Sequence, residues 1–210
     1  MMYIKVWKRL LDVLLSAVGI LILAVPMLLI AAAVKLDSPG PVLFKQKRVG
    51  LHKRYFSILK FRSMPVTVPH DLPTHQFSAE ASLSRWQRFI RRSSLDELPQ
   101  LFNIFVGQMS VIGPRPALWN QEDLVAERDR YGANDIRPGL TGWAQINGRD
   151  ELPIDVKARY DGEYVERMSF TFDCKCFFGT IVKVLRREGV VEGGTGAMEE
   201  QEKEIEVVKK

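Results

Sequence analysis

Cysteine is almost missing. Cys174 and Cys176 are the only two, one residue apart, too close to staple a fold. No second Cys/His pair stands at zinc spacing, so the chain reads as intracellular and reducing. His52, His70 and His75 share no metal spacing and read as surface residues. P-loop, G-x-G-x-x-G and G-x-S-x-G motifs are absent, as is any internal repeat. With 46% hydrophobic and 26% charged residues, the 210-residue chain is neither disordered throughout nor collagen-like. A mean hydropathy of −0.07 excludes a polytopic membrane protein. One long hydrophobic run is nevertheless present.

Leu10–Val34 is 25 residues whose only charge is Asp12, with Lys5, Lys8 and Arg9 before it and Lys35 after. As one straight helix it would reach roughly 37 Å, longer than the roughly 30 Å hydrocarbon layer. Nothing after it looks exported, which argues against a cleaved signal peptide. Both flanks are basic, so the positive-inside rule contradicts itself for a spanning helix. Pro26 should kink or break the run. A helix broken at Pro26 that enters and leaves on one face satisfies both flanks and is favoured over a plain span or a buried core helix.

The net charge of +5 hides an asymmetry, because residues 191–210 carry six acids against three bases. The body is therefore the more basic, and needs an anionic partner: nucleic acid, phospholipid or a phosphorylated substrate. The chain divides into a membrane-inserted helix (1–36), a cytoplasmic domain (37–190) and a flexible charged tail (191–210). The expected fold is α+β and mainly helical. Val42–Gln46 and Tyr55–Arg62 read as a small β-hairpin. Pro65, Pro69 and Pro73 mark an irregular stretch. Glu80–Arg92 reads as an amphipathic helix with Leu83, Trp86, Phe89 and Ile90 on one face. Helices follow at 97–106, 122–130, 154–168 and 174–188, with turns at 113–116 and 137–142 and a stop at Gly189.

The sharpest local feature is Ser94-Leu95-Asp96-Glu97-Leu98-Pro99. Ser94 and Glu97 have capping-box spacing, but Pro99 fits better if Asp96 is the N-cap. That would put a carboxylate beside unpaired N–H groups that also attract phosphate. Asp96 and Glu97, about 100° apart on a helix, would then do different jobs. Lys60 and Arg62 would share a strand face at a spacing that suits two phosphates. Arg115 and Arg137 each precede a proline that stiffens its stem. Arg137-Pro138-Gly139 reads as a type II turn.

These segments resemble the bacterial sugar transferases described as monotopic phosphoglycosyl transferases. The blocks are Asp37-Ser38-Pro39-Gly40-Pro41-Val42 with Phe44-Lys45-Gln46, Lys60-Phe61-Arg62-Ser63-Met64, and Ser94–Asn103. They continue with Met109-Ser110-Val111-Ile112-Gly113-Pro114-Arg115-Pro116 and Arg137–Gln145, then Asp161 before Tyr164-Val165, and Asp173. Coverage runs over residues 3–190, and the minimal form of the family is implied. The resemblance implies transfer of a phosphosugar from a nucleoside diphosphate sugar to polyprenyl phosphate at the cytoplasmic face of the bacterial inner membrane, with Mg²⁺. Both termini would be cytoplasmic. Catalysis would fall on Asp96, the nucleophile, and Glu97. Lys60, Arg62, Arg115 and Arg137 would bind phosphate, and Asp96, Glu97 and Asp161 would hold the metal. The usual donors are uridine diphosphate sugars, with a lean toward N-acetylated ones. Phospholipid and the glycosyltransferases that extend the product are further implied partners, nucleic acid is not, and a homo-oligomer is left open. Val25 stands where many members have Ser, and Gln108 where many have Asp, so Gln108 is given no metal role.

Overall fold

The computed structural model describes residues 3–64, 83–148 and 152–186. The proline stretch with His70 and His75, the stop at Gly189 and the 191–210 tail lie outside the described residues. A π-helical turn, Tyr3–Trp7, leads into α1, Lys8–Asp37. The hairpin follows as β1, Leu43–Val49, and β2, Tyr55–Phe61, antiparallel with Phe44 opposite Lys60. Then come α2 (Arg85–Arg92), a 3-10 turn at Leu95–Glu97, α3 (Gln100–Phe105) and β3 (Ser110–Ile112). The chain continues through α4 (Glu122–Asp129), β4 (Gly139–Thr141), α5 (Trp143–Ile146), α6 (Ile154–Arg167) and α7 (Phe170–Arg186).

The mainly helical composition and the hairpin match the sequence reading. The β3–β4 pair does not: β4 lies where the turn at 137–142 was expected, and it runs parallel to β3, with Ser110 opposite Gly139 and Ile112 opposite Thr141. Gly139 lies in that ladder and not at the left-handed position of a type II turn. A Cβ there would sit 2.1 Å from Gly113 N, so close backbone approach requires glycine. In α2 the capping box is made by Ser84 and Gln87, which sets its start at Arg85. Ile90 is buried, whereas Phe89 turns outward and is 53% exposed.

Helix α1 stays helical through Pro26, so the run does not break there. At 1.5 Å per residue its 30 residues span about 45 Å. One face packs on the rest of the protein near both ends, through Asp12 and Ser16 and through Met27, Ile30 and Val34. A Cβ on Gly19 would lie only 3.2 Å from Leu101 of α3. Near the start, Arg9 donates to Ile104 O and Phe105 O. The Asp12 carboxylate accepts from Ser110 Oγ at 3.0 Å and Val111 N at 2.9 Å. At the other end, Arg62 donates to Val34 O and Ser38 O. The opposite face is bare hydrocarbon, with Leu21 77% and Ile22 69% exposed. Water is a poor solvent for that face, and the helix is long and apolar enough to cross a membrane.

Candidate active site

The loop after α2 turns through Ser94, held at φ 56, a left-handed conformation that costs a non-glycine residue about 1–3 kcal/mol. Ser94 therefore caps nothing. Asp96 does not cap either: it lies inside the 3-10 turn, and α3 starts after Pro99. Proline in that place sacrifices no helical hydrogen bond. The expected N-cap carboxylate is thus replaced by a tighter turn that points Asp96 and Glu97 into different surroundings.

Glu97 lies between two cations. Its Oε1 accepts from Lys60 Nζ at 2.8 Å and Arg115 Nη2 at 2.7 Å, and its Oε2 takes only a 3.5 Å contact from Arg115. Burial pushes this carboxyl up, but Arg115 and Lys60 outweigh burial and hold it well below the usual range. Asp96 is buried, and its Oδ2 accepts a long 3.4 Å bond from Ser63 Oγ. Burial, with repulsion from Glu97, pushes Asp96 up to about 6 against the pull of Lys60. The pair is thus split into a firmly ionised carboxylate tied to cations and an under-compensated one beside it. Such a division marks two roles.

The cations come from two elements. Lys60 projects from β2 on the same face as Phe44, its cross-strand partner. Burial lowers its pKa, and Glu97 offsets part of this. Arg115 follows β3 between two prolines. Arg48 on β1, absent from the sequence-derived set, joins them: it donates to Pro116 O at 2.9 Å and, from Nε and Nη2, to Gln46 Oε1. The sequence reading ended this strand at Gln46, so Arg48 fell in the expected connection; the longer β1 puts it on the Lys60 face.

Three expected site residues are elsewhere. Arg62 falls just past β2, is 5% exposed, and donates to Ser38 O, Ser38 Oγ and Pro39 O, clamping the end of α1. Arg137 donates from Nε to Gly107 O, beyond the far end of α3. Asp161 accepts from Arg128 Nε and Nη2 at 2.8 and 2.6 Å in a buried pair joining α4 to α6. Burial raises its pKa and Arg128 opposes that shift. Gln108 accepts from Asn103 Nδ2. Asp173 accepts from Tyr3, Lys8 and Tyr164, tying α7 and α6 to the start of α1.

A cavity of about 450 Å³ is lined by Glu97 but not by Asp96. Leu15 and Leu23 of α1, Leu101 and Phe177 form apolar walls, while Glu97 and Arg115 contribute charge. The site therefore joins a carboxylate pair and phosphate-type cations to an apolar channel beside an apolar helix.

Comparison with known proteins bears on this arrangement. The model of the family described as bacterial sugar transferase matches residues 3–187. The chain belongs to the bacterial sugar transferase family. It is similar to a UDP-glucose:undecaprenyl-phosphate glucose-1-phosphate transferase of Xanthomonas campestris pv. campestris, 41% identical over 87% of this chain and 40% of that protein. An uncharacterized sugar transferase of Bacillus subtilis is 39% identical over 87% of this chain and 89% of its own length. A UDP-N-acetylgalactosamine-undecaprenyl-phosphate N-acetylgalactosaminephosphotransferase of Aeromonas hydrophila is 36% identical over 85% of this chain and 43% of that protein. The chain thus spans less than half the length of the Xanthomonas and Aeromonas relatives.

Two adjacent carboxylates offer hard oxygen donors of the kind Mg²⁺ takes, usually one or two carboxylates completed by substrate phosphates. Among the described residues there is no group of three His, Cys, Asp or Glu that could hold a metal alone. The arrangement fits an ion shared with a diphosphate, with Asp96 and the lightly engaged Glu97 Oε2 as donors. Asp161, engaged with Arg128, adds nothing to that set.

Proposed function

We propose that this bacterial sugar transferase moves a sugar 1-phosphate from a UDP-sugar to a polyprenyl phosphate, through a covalent intermediate on Asp96. One observation carries the reading: a buried, under-compensated Asp96 next to a charge-neutralised Glu97 that lines an apolar cavity walled by α1. The Asp96 carboxylate attacks the phosphorus that bears the sugar, the bond to the inner phosphate breaks, and UMP leaves. The polyprenyl phosphate oxygen then attacks the aspartyl-phosphosugar, giving polyprenyl-diphosphate-sugar and restoring the carboxylate. Lys60 and Arg115 offset charge on the equatorial and leaving oxygens. Glu97 keeps both cations in place, and Arg48 braces the Arg115 segment through Pro116 O. Mg²⁺, held by Asp96 and Glu97 with the diphosphate, would mask phosphate charge. The apolar cavity suits the first isoprene units, and its charged wall suits the acceptor phosphate.

The experiment is labelling with UDP-sugar carrying radioactive phosphate next to the sugar, without polyprenyl phosphate. Label should enter the protein, be released by hydroxylamine, and be lost in Asp96→Asn. Label that persists in Asp96→Asn and disappears in Glu97→Gln would reverse the roles. A panel of UDP-glucose, UDP-galactose and their N-acetylated counterparts identifies the sugar; equal rates would remove the expected N-acetyl preference.

Re-entrant insertion in the bacterial inner membrane, with α1 bent at Pro26 but still helical there, belongs to the same proposal. Both ends of α1 bond to one domain, through Arg9 and Asp12 and through Val34 and Ser38, and a domain lies on one side of a bilayer. A straight crossing would strand one set of bonds in the opposite compartment. A cysteine introduced near Met1, with Cys174 and Cys176 replaced by serine, should resist a membrane-impermeant thiol reagent in intact cells. Efficient labelling from outside would overturn this topology.

A further inference from the structure

Arg9 and Arg137 meet around Gly107, at the end of α3 away from the dyad. Arg9 Nη1 and Nη2 donate to Ile104 O and Phe105 O at 2.7 and 2.8 Å, and Arg137 Nε donates to Gly107 O at 3.0 Å. Gly107 sits at φ 92, and a Cβ there would lie 3.2 Å from Arg9 Nη2. Glycine thus permits the turn and leaves the space that the guanidinium fills.

One arginine at a helix C-terminus is explained by the exposed carbonyls it satisfies. A second is not, because the two like charges repel. Asp12, one turn along α1, attracts Arg9, but its carboxylate is engaged with Ser110 and Val111. Among the described residues no carboxylate bonds to either guanidinium, and Arg137 makes only the Gly107 contact. The surroundings are apolar and outward-facing: Trp7, Leu10, Phe105 and Val106 are each between 46% and 66% exposed. Exposed tryptophan and phenylalanine around half-buried arginines are the pattern of the headgroup layer.

We propose that Arg9 and Arg137 form a binding site for the phosphate of a bilayer phospholipid headgroup, separate from the site of chemistry. The guanidiniums grip the phosphate oxygens, relieving their mutual repulsion, while Trp7, Phe105 and Val106 lie among the upper acyl carbons. The site sets the depth at which α1 and α3 lie in the membrane. It rests on the membrane-inserted reading of α1 but not on the covalent mechanism.

The test is native mass spectrometry of the full chain in detergent, titrated with phosphatidylglycerol, phosphatidylcholine and inorganic phosphate. Wild type should retain one phosphatidylglycerol, and Arg137→Gln and Arg9→Gln should each weaken it about tenfold, the loss of one charged hydrogen-bond pair. Arg130→Gln, an exposed arginine paired with Glu127, should change nothing. If a glutamine variant fails to fold, Arg137→Lys decides: it keeps the charge but loses the fork, and should still bind several-fold more weakly at wild-type melting temperature. Equal lipid retention in wild type and variants, or phosphate binding as tight as the lipid's, would overturn the site. Donor labelling in the same preparations reads the chemistry separately.

Discussion

Neutralising the two members of the dyad one at a time should move stability in opposite directions. Asp96 is held near 6 in the folded protein against an ordinary value of 3.8. A raised carboxyl pKa means that the fold disfavours the ionised form. The penalty is absent below the unfolded value, grows as pH rises from about 4 to about 6, and is complete above it. Two pKa units correspond to about 3 kcal/mol. Asp96→Asn should therefore melt roughly 5–10 °C above wild type near neutral pH, and the gap should close by about pH 4. Glu97 is the reverse. Its depressed pKa contributes stability above the unfolded value that is lost only as pH falls through the folded one. Glu97→Gln leaves Lys60 and Arg115 facing each other without their anion, at a cost of about 3 kcal/mol near neutral pH. Thermal unfolding followed by fluorescence in detergent across pH measures both. An Asp96→Asn protein less stable than wild type at about pH 8, or a stabilised Glu97→Gln, would refute the electrostatic account of the dyad.

The same shift sets the pH profile of covalent labelling: attack needs the carboxylate, so the rate should fall to half near pH 6 and decline tenfold per unit below it. Asp161→Asn should lose about 3 kcal/mol by leaving Arg128 buried without its charge, yet keep the Mg²⁺ dependence of UMP release. A changed Mg²⁺ requirement would return Asp161 to the metal set. Arg62→Met should lower the melting temperature by several degrees by freeing the carbonyls at the end of α1, while leaving the KM for UDP-sugar within about twofold.

Local sequence went furthest where chemistry is local. The hairpin and the long apolar helix follow from alternation and hydropathy, whereas the expected Asp96 N-cap gave way to a 3-10 turn with the helix starting after Pro99. Where the placements differ from the sequence reading, the cause is shared: distant partners engage side chains whose sequence neighbours suggested another use. Arg62 alternates with Lys60 as a phosphate-binding pair would, but β2 ends at Phe61 and the next residue turns to the Ser38 carbonyl. Pro138 and Gly139 have the composition of a type II turn, yet pairing with β3 draws Gly139 into an extended strand. Asp161 has no sequence feature that announces Arg128, 33 residues away. Arg48 was missed because the first strand was read as ending at Gln46, whereas β1 runs to Val49 and sets Arg48 opposite Phe56 on the Lys60 face.

The long-range contacts also explain why one apolar helix and one dyad belong to a single device. Asp12, the lone charge in the apolar run, accepts from Ser110 and Val111 at the start of β3. Four residues beyond Val111 the same segment delivers Arg115 to Glu97. On the other side of the dyad, Leu101 of α3 packs against Gly19 of α1. The helix thus holds the dyad from both flanks, through a buried hydrogen-bonded carboxylate and through a contact close enough to favour glycine. A buried carboxylate is costly unless its bonds are made, so Asp12 tolerates little sliding of α1 along the domain. A shift of one residue, 1.5 Å, would break both bonds to β3. The height of the hydrocarbon-facing surface of α1 and the height of Asp96 are therefore fixed relative to each other. The proposed reaction needs that relation, because an acceptor phosphate at the bilayer surface and the Asp96 side of the site must meet at one depth.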